Sequence, residues 1–122
     1  MKFLWVFIGG GLGSTIRYLI GKWLNHSDFF MPLGTMTVNI AGSFIIGFSM
    51  EYLLRHHYPN LFLFITVGFL GGFTTFSSFS YEAMLFLKEN NLGMFLVYTS
   101  TTFILGMIAV FFGYNLSKIL FA

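Results

Sequence analysis

The sequence predicts an all-α membrane protein of four transmembrane helices, the third broken near its middle. Three observations carry this. Hydrophobic residues make up 57% of the 122-residue chain and charged residues only 8%, whereas soluble domains carry about 25% charged residues. The six basic and four acidic side chains are too few to cover a soluble core of this size, so lipid is the solvent for most of the surface. Four apolar segments reach the length of about 20 residues that a spanning helix requires. Inside the third, the run Gly71-Gly72-Phe73-Thr74-Thr75-Phe76 is a poor helix interior.

Taken in order, the first span covers residues 3–24. Its apolar N-terminus lacks the small-x-small cleavage site and polar mature region of a secretory signal, so it reads as a span. Gly9/Gly13 and Gly10/Ser14 place small residues at four-residue spacing, which lets helix backbones approach closely in lipid. The second span, residues 33–54, follows Pro32, and the third, residues 61–87, follows Pro59; proline belongs at a helix start. The fourth covers residues 92–120. The joints are Asn25-His26-Ser27-Asp28, Arg55-His56-His57-Tyr58-Pro59-Asn60 and Lys88-Glu89-Asn90-Asn91. No linker interrupts the pattern, so residues 1–122 read as a single four-helix transmembrane domain.

Charge narrows the partners. Lys2, Arg17, Lys22, Arg55, Lys88 and Lys118 are scattered, which leaves no electrostatic footprint for nucleic acid. The chain has no cysteine, so disulfides, thiolate metal sites and cysteine nucleophiles are excluded. With four spans, Lys2, Arg55 and Lys118 collect on one side, and Lys22, Lys88 and any interfacial Arg17 on the other. That is almost no topogenic bias. It predicts insertion in both orientations and an antiparallel dual-topology homodimer; a weakly biased single orientation is the simpler alternative.

Polar residues inside lipid are expensive, and each asks for a partner or a function. At the break, carbonyls freed near Gly71 and Thr74 are able to coordinate a cation, as at other discontinuous membrane helices; a kinked helix with back-bonded hydroxyls is the alternative. Phe76 and Phe79 lie one turn apart, and the positive edge of a phenyl ring can meet an anion. Thr75, Ser77 and Ser78 surround them with hydroxyls. Asn39 in the second span is either interhelical glue or pore lining. Tyr98 and Thr102 share a face of the fourth span and extend a hydroxyl track, although Tyr98 also suits an interfacial aromatic belt. Gly106 continues that face without a hydroxyl. Arg17 either snorkels or attracts an anion at a pore mouth. Glu82, about 4.5 Å along the helix from Phe79, is close enough to shape such a path; a salt bridge is the plainer reading for both ions. Many neutral donors with little fixed charge suit a weakly binding anion path, and they suit dimer glue comparably well.

At these residues the chain resembles the Fluc (CrcB) family of fluoride channels over nearly its whole length. The resemblance rests on Gly9-Gly10-Gly11-x-Gly13-x-x-x-Arg17-Tyr18, on Pro32-x-Gly34-Thr35-x-x-Val38-Asn39-x-x-Gly42-Ser43, and on Gly68-Phe69-x-Gly71-Gly72-Phe73-Thr74-Thr75-Phe76-Ser77-Ser78-Phe79-x-x-Glu82. It implies a dual-topology antiparallel dimer in the bacterial cytoplasmic (inner) membrane, with two fluoride pores at the subunit interface and passive export that confers fluoride resistance. It further implies edge-on fluoride contacts at Phe76 and Phe79, and hydrogen-bond donors at Asn39, Thr75, Ser77 and Ser78. Arg17 would stand at the vestibule, Glu82 beside the pore, and Tyr98 and Thr102 along the track. Backbone carbonyls of Gly71 and Thr74 would hold a structural Na⁺ on the dimer axis.

Two other classes compete. A small multidrug-resistance transporter shares the length, the four spans and the dual topology. Its proton coupling, however, requires an acid in the first span, where this chain offers Arg17. A non-conducting scaffold would not need so many buried hydroxyls. A membrane enzyme is disfavoured because His26, His56 and His57 fall in the joints, away from any midspan acid–base pair.

Overall fold

The computed structural model describes residues 1–25 and 31–121; His26, Ser27 and Asp28 of the first joint lie outside that range. Four crossings are present, each long and apolar enough to span a bilayer. The first is α1 (Lys2–Leu24) and the second α2 (Leu33–His56). The third runs from Pro59 to Lys88 and is composite. It contains α3 (Pro59–Phe62), a π-helical stretch (Leu63–Phe69), α4 (Leu70–Phe73) and α5 (Phe76–Lys88). The last is α6 (Leu92–Phe121).

The expected boundaries shift little. Helix α2 runs on through Arg55 and His56, which the sequence assigns to a joint, and stops where His57 takes a left-handed conformation (φ 55°, ψ 55°). Pro59 occupies the first turn of α3. The break falls within the expected run: α4 ends at Phe73, and Thr74 (φ −89°, ψ 156°) and Thr75 (φ −150°, ψ 113°) are extended. The π-helical stretch ahead of it was not legible in the sequence.

Burial is inverted relative to a soluble bundle. Phe3, Phe7, Phe103, Phe111 and Ile119 are strongly exposed, a distribution that only an apolar solvent accommodates. The core is small and divided by the break. Val38, Leu70 and Phe73 gather Ile20 and Ile45 around the first half of the third span. Met36, Ala83 and Tyr98 gather Phe79 and Phe86 around the second.

Glycine lets two helix pairs approach closely. At Gly13 of α1, an added Cβ would strike the backbone of Phe69 and Phe73, so α1 lies directly on α4. Along the α2–α6 seam, Gly47 meets the Val110 carbonyl and Gly113 meets that of Phe44. These are small-residue contacts of the kind that replace hydrophobic association in lipid. The two helices run in the same direction. Thr35 and Tyr98 reach the same carboxylate, Ser43 faces Gly106, and Gly47 faces Val110.

Candidate functional site

The site is assembled at Thr74 and Thr75, where backbone leaves the helix at membrane depth. Each group freed there needs a partner, because lipid supplies none. The Thr74 N–H and hydroxyl both donate to the Leu70 carbonyl, at 3.0 and 2.8 Å, which closes α4. The Thr75 hydroxyl accepts from the Ser78 N–H at 3.1 Å and caps α5, the role threonine fills at helix starts. The Ser77 hydroxyl lies 3.2 Å from that of Thr75.

Asn39 on α2 spans the gap. Its Nδ2 donates to the Thr75 carbonyl at 3.1 Å, and its Oδ1 accepts from the Thr75 N–H at 2.8 Å. One amide therefore satisfies both polar groups of a single extended residue, and one Nδ2–H is left over. From the other side, Arg17 Nε of α1 donates to the Gly72 carbonyl at 2.8 Å, with the Ser14 hydroxyl at 3.5 Å. Arg17 thus holds the carbonyl end of α4, where a cation is favoured, and among the described residues it pairs with no carboxylate.

These diversions free two carbonyls. In an unbroken helix the Gly71 carbonyl would take the Thr75 N–H and the Thr74 carbonyl the Ser78 N–H. Asn39 Oδ1 and Thr75 Oγ1 have taken those donors. Gly71 and Thr74 both line a cavity of about 350 Å³, together with Asn39, Ser43 and Phe76. The opposite side of Thr75 faces a second cavity of about 270 Å³, lined by Arg17, Lys22, Thr35, Ser78 and Glu82.

Glu82 is held on α5 by two donors from neighbouring helices. The Thr35 hydroxyl donates to Oε1 at 2.6 Å, and the Tyr98 hydroxyl donates to Oε2 at 3.1 Å. Tyr98 is fully buried, which overturns the belt-aromatic reading; its polar tip is turned inward to a carboxylate. Its ring packs 5.2 Å from Phe79, which stands 5.9 Å from Phe76. Phe76 is 78% exposed, so it faces outward from this protomer. Thr102 is buried, and its hydroxyl has no hydrogen-bond partner among the described residues.

Every expected site residue therefore falls around the break or on the α2–α6 seam beside it. Thr35 was missed as a functional residue, although its position one turn before Asn39 puts it on the same face. Glu51 is ionically paired with Arg55 on the exposed end of α2 and takes no part.

Four apolar crossings, one interrupted where polar side chains converge, define a multi-pass membrane protein built on a discontinuous helix. A family model described as CrcB-like protein, Camphor Resistance (CrcB), matches residues 4–114. The chain belongs to that family. It is similar to a protein of Gloeothece citriformis, with 45% identity over 120 residues covering 97% of this chain and 98% of the relative. A protein of Bacteroides fragilis is 41% identical over 92% of each chain. One from Thermus thermophilus is 41% identical, covering 94% of this chain and 92% of its own. All three carry the name fluoride-specific ion channel FluC.

Proposed function

We propose that this protein is a fluoride-selective channel, not an enzyme, that lets fluoride leave the cell passively across the cytoplasmic membrane and so lowers cytosolic fluoride. The observation that carries this reading is the cluster of neutral donors around the Thr74–Thr75 break, with both backbone groups of Thr75 satisfied by Asn39. Relatives named fluoride-specific ion channels, matched along almost their whole length, support it.

Fluoride is small and strongly hydrated, so a path must replace its water with short donors while holding no charge strong enough to trap it. The remaining Nδ2–H of Asn39 and the hydroxyls of Thr75, Ser77 and Ser78 supply donors. Phe76 and Phe79 present ring edges. Tyr98, Thr102 and Glu82 line the continuation, and Arg17 draws anions to the vestibule cavity that it shares with Lys22.

The working unit is an antiparallel dual-topology homodimer in lipid. A phenylalanine 78% exposed beside the cavity that Asn39, Ser43 and Thr74 line supports a second subunit over that face. The donor set at the break suits a hard cation with oxygen ligands: the carbonyls of Gly71 and Thr74, doubled by a twofold axis, would hold a structural Na⁺ whose charge ties the two broken helices together. The alternative multidrug-type transporter lacks support, since α1 carries no acidic residue and Arg17 is committed to the Gly72 carbonyl.

Fluoride efflux from liposomes reconstituted with the purified protein tests the reading. Efflux well above chloride efflux is expected. A folded protein that passes no more fluoride than chloride would defeat it.

A further inference from the structure

Helices α2 and α6 form a ladder across their seam. At the first rung, Thr35 and Tyr98 present hydroxyls that share Glu82. One turn on along each helix come Asn39 on α2 and Thr102 on α6. At the third rung α6 carries Gly106 and offers no hydroxyl, but Ser43 Oγ of α2 lies 3.5 Å from the position a Gly106 Cβ would occupy. A hydroxyl is therefore present at that level, contributed from the other helix.

We propose that Ser43 is an ion-contacting residue of the path, supplying from α2 the hydroxyl that α6 lacks at Gly106. The inference rests on the channel reading above. Two further observations support it. The Thr102 hydroxyl is more than nine-tenths buried and has no partner among the described residues, so this part of the seam holds an open hydrogen-bonding position. Ser43 also lines the same cavity as Asn39 and Phe76. At rest its hydroxyl donates to the Asn39 carbonyl at 2.7 Å. That carbonyl has a second donor, the helical N–H of Ser43 itself, so the hydroxyl can swing to an anion without leaving a buried acceptor orphaned. A serine that back-bonds within its helix and faces a glycine is a donor held in reserve, with room to rotate.

The test relocates the hydroxyl. Fluoride efflux is measured in liposomes for the wild type, Ser43→Ala, Gly106→Ser and the double variant. Alanine favours the helix, and a Cβ at Gly106 makes only ordinary contact, so all four are expected to purify with the same elution profile. Ser43→Ala is expected to slow fluoride efflux by about tenfold, the scale of one lost hydrogen bond. Adding Gly106→Ser is expected to restore it to within roughly twofold or threefold of wild type, because the donor returns to the same level from the opposite helix. Wild-type efflux in Ser43→Ala, or a double variant as slow as the single, overturns the proposal while leaving the channel reading standing. A wild type that passes no fluoride removes the channel reading itself.

Discussion

At the scale of single residues, Asn39 and Phe76 have opposite relations to the fold. Asn39 satisfies two half-buried backbone groups. Asn39→Ala is expected to cost on the order of 1–3 kcal/mol for each group left unpaired, seen as a lower thermal midpoint in detergent. Asn39→Asp loses the donor to the Thr75 carbonyl and sets a negative charge in the proposed path, so fluoride efflux is expected to fall to the level of protein-free liposomes. Phe76 is 78% exposed in its own protomer, with the Phe79 ring beside it. Phe76→Ile is therefore expected to abolish efflux while leaving the thermal midpoint unchanged; retained efflux would remove Phe76 from the path. The candidate residues were legible in the sequence because polar groups in lipid stand out. Their partners were not. Nothing in the spacing reveals that Arg17 reaches a carbonyl 55 positions away, or that Tyr98 turns its hydroxyl inward to Glu82, since both depend on how α1 and α6 pack against the third span.

At the scale of elements, the break is two helix ends finished by side chains. Thr74 closes α4 and Thr75 opens α5. Thr75→Val keeps the shape and removes the cap, at a cost of about 1 kcal/mol, whereas Thr75→Ser is expected to stay within a few tenths of wild type; thermal unfolding of the purified variants checks both. Adjacent glycines followed by threonines made this break visible in advance. Hydrophobic period alone gives no equivalent signal for Leu63–Phe69, because Leu, Phe, Ile and Val read alike in an α- or a π-helical turn.

At the scale of the whole molecule, the proposed antiparallel assembly has a direct test. The chain contains no cysteine, so a single Lys2→Cys reports topology without background. Roughly half of the molecules are expected to react with an impermeant thiol reagent from each side of the membrane. Labelling from one side only would exclude dual topology. The four crossings were readable from composition and length; the way they pack was set by glycine positions whose neighbours only the fold reveals, as at Gly13 against Phe69 and Phe73.

The π-helical turn also constrains how this gene can change. Such a turn behaves as one residue inserted into an α-helix, and one residue corresponds to about 100° of rotation. Everything downstream in the span is thereby re-aimed: the face of α4 that meets α1, the direction of the Gly71 and Thr74 carbonyls, and the register at which Thr75 meets Asn39. Deleting Val67, which is exposed, would leave the span long and apolar enough to insert. It would nevertheless be expected to eliminate efflux, by turning the break away from its partners. A reading frame kept intact, a hydropathy profile nearly unchanged and a lost function would then trace to a single angular error.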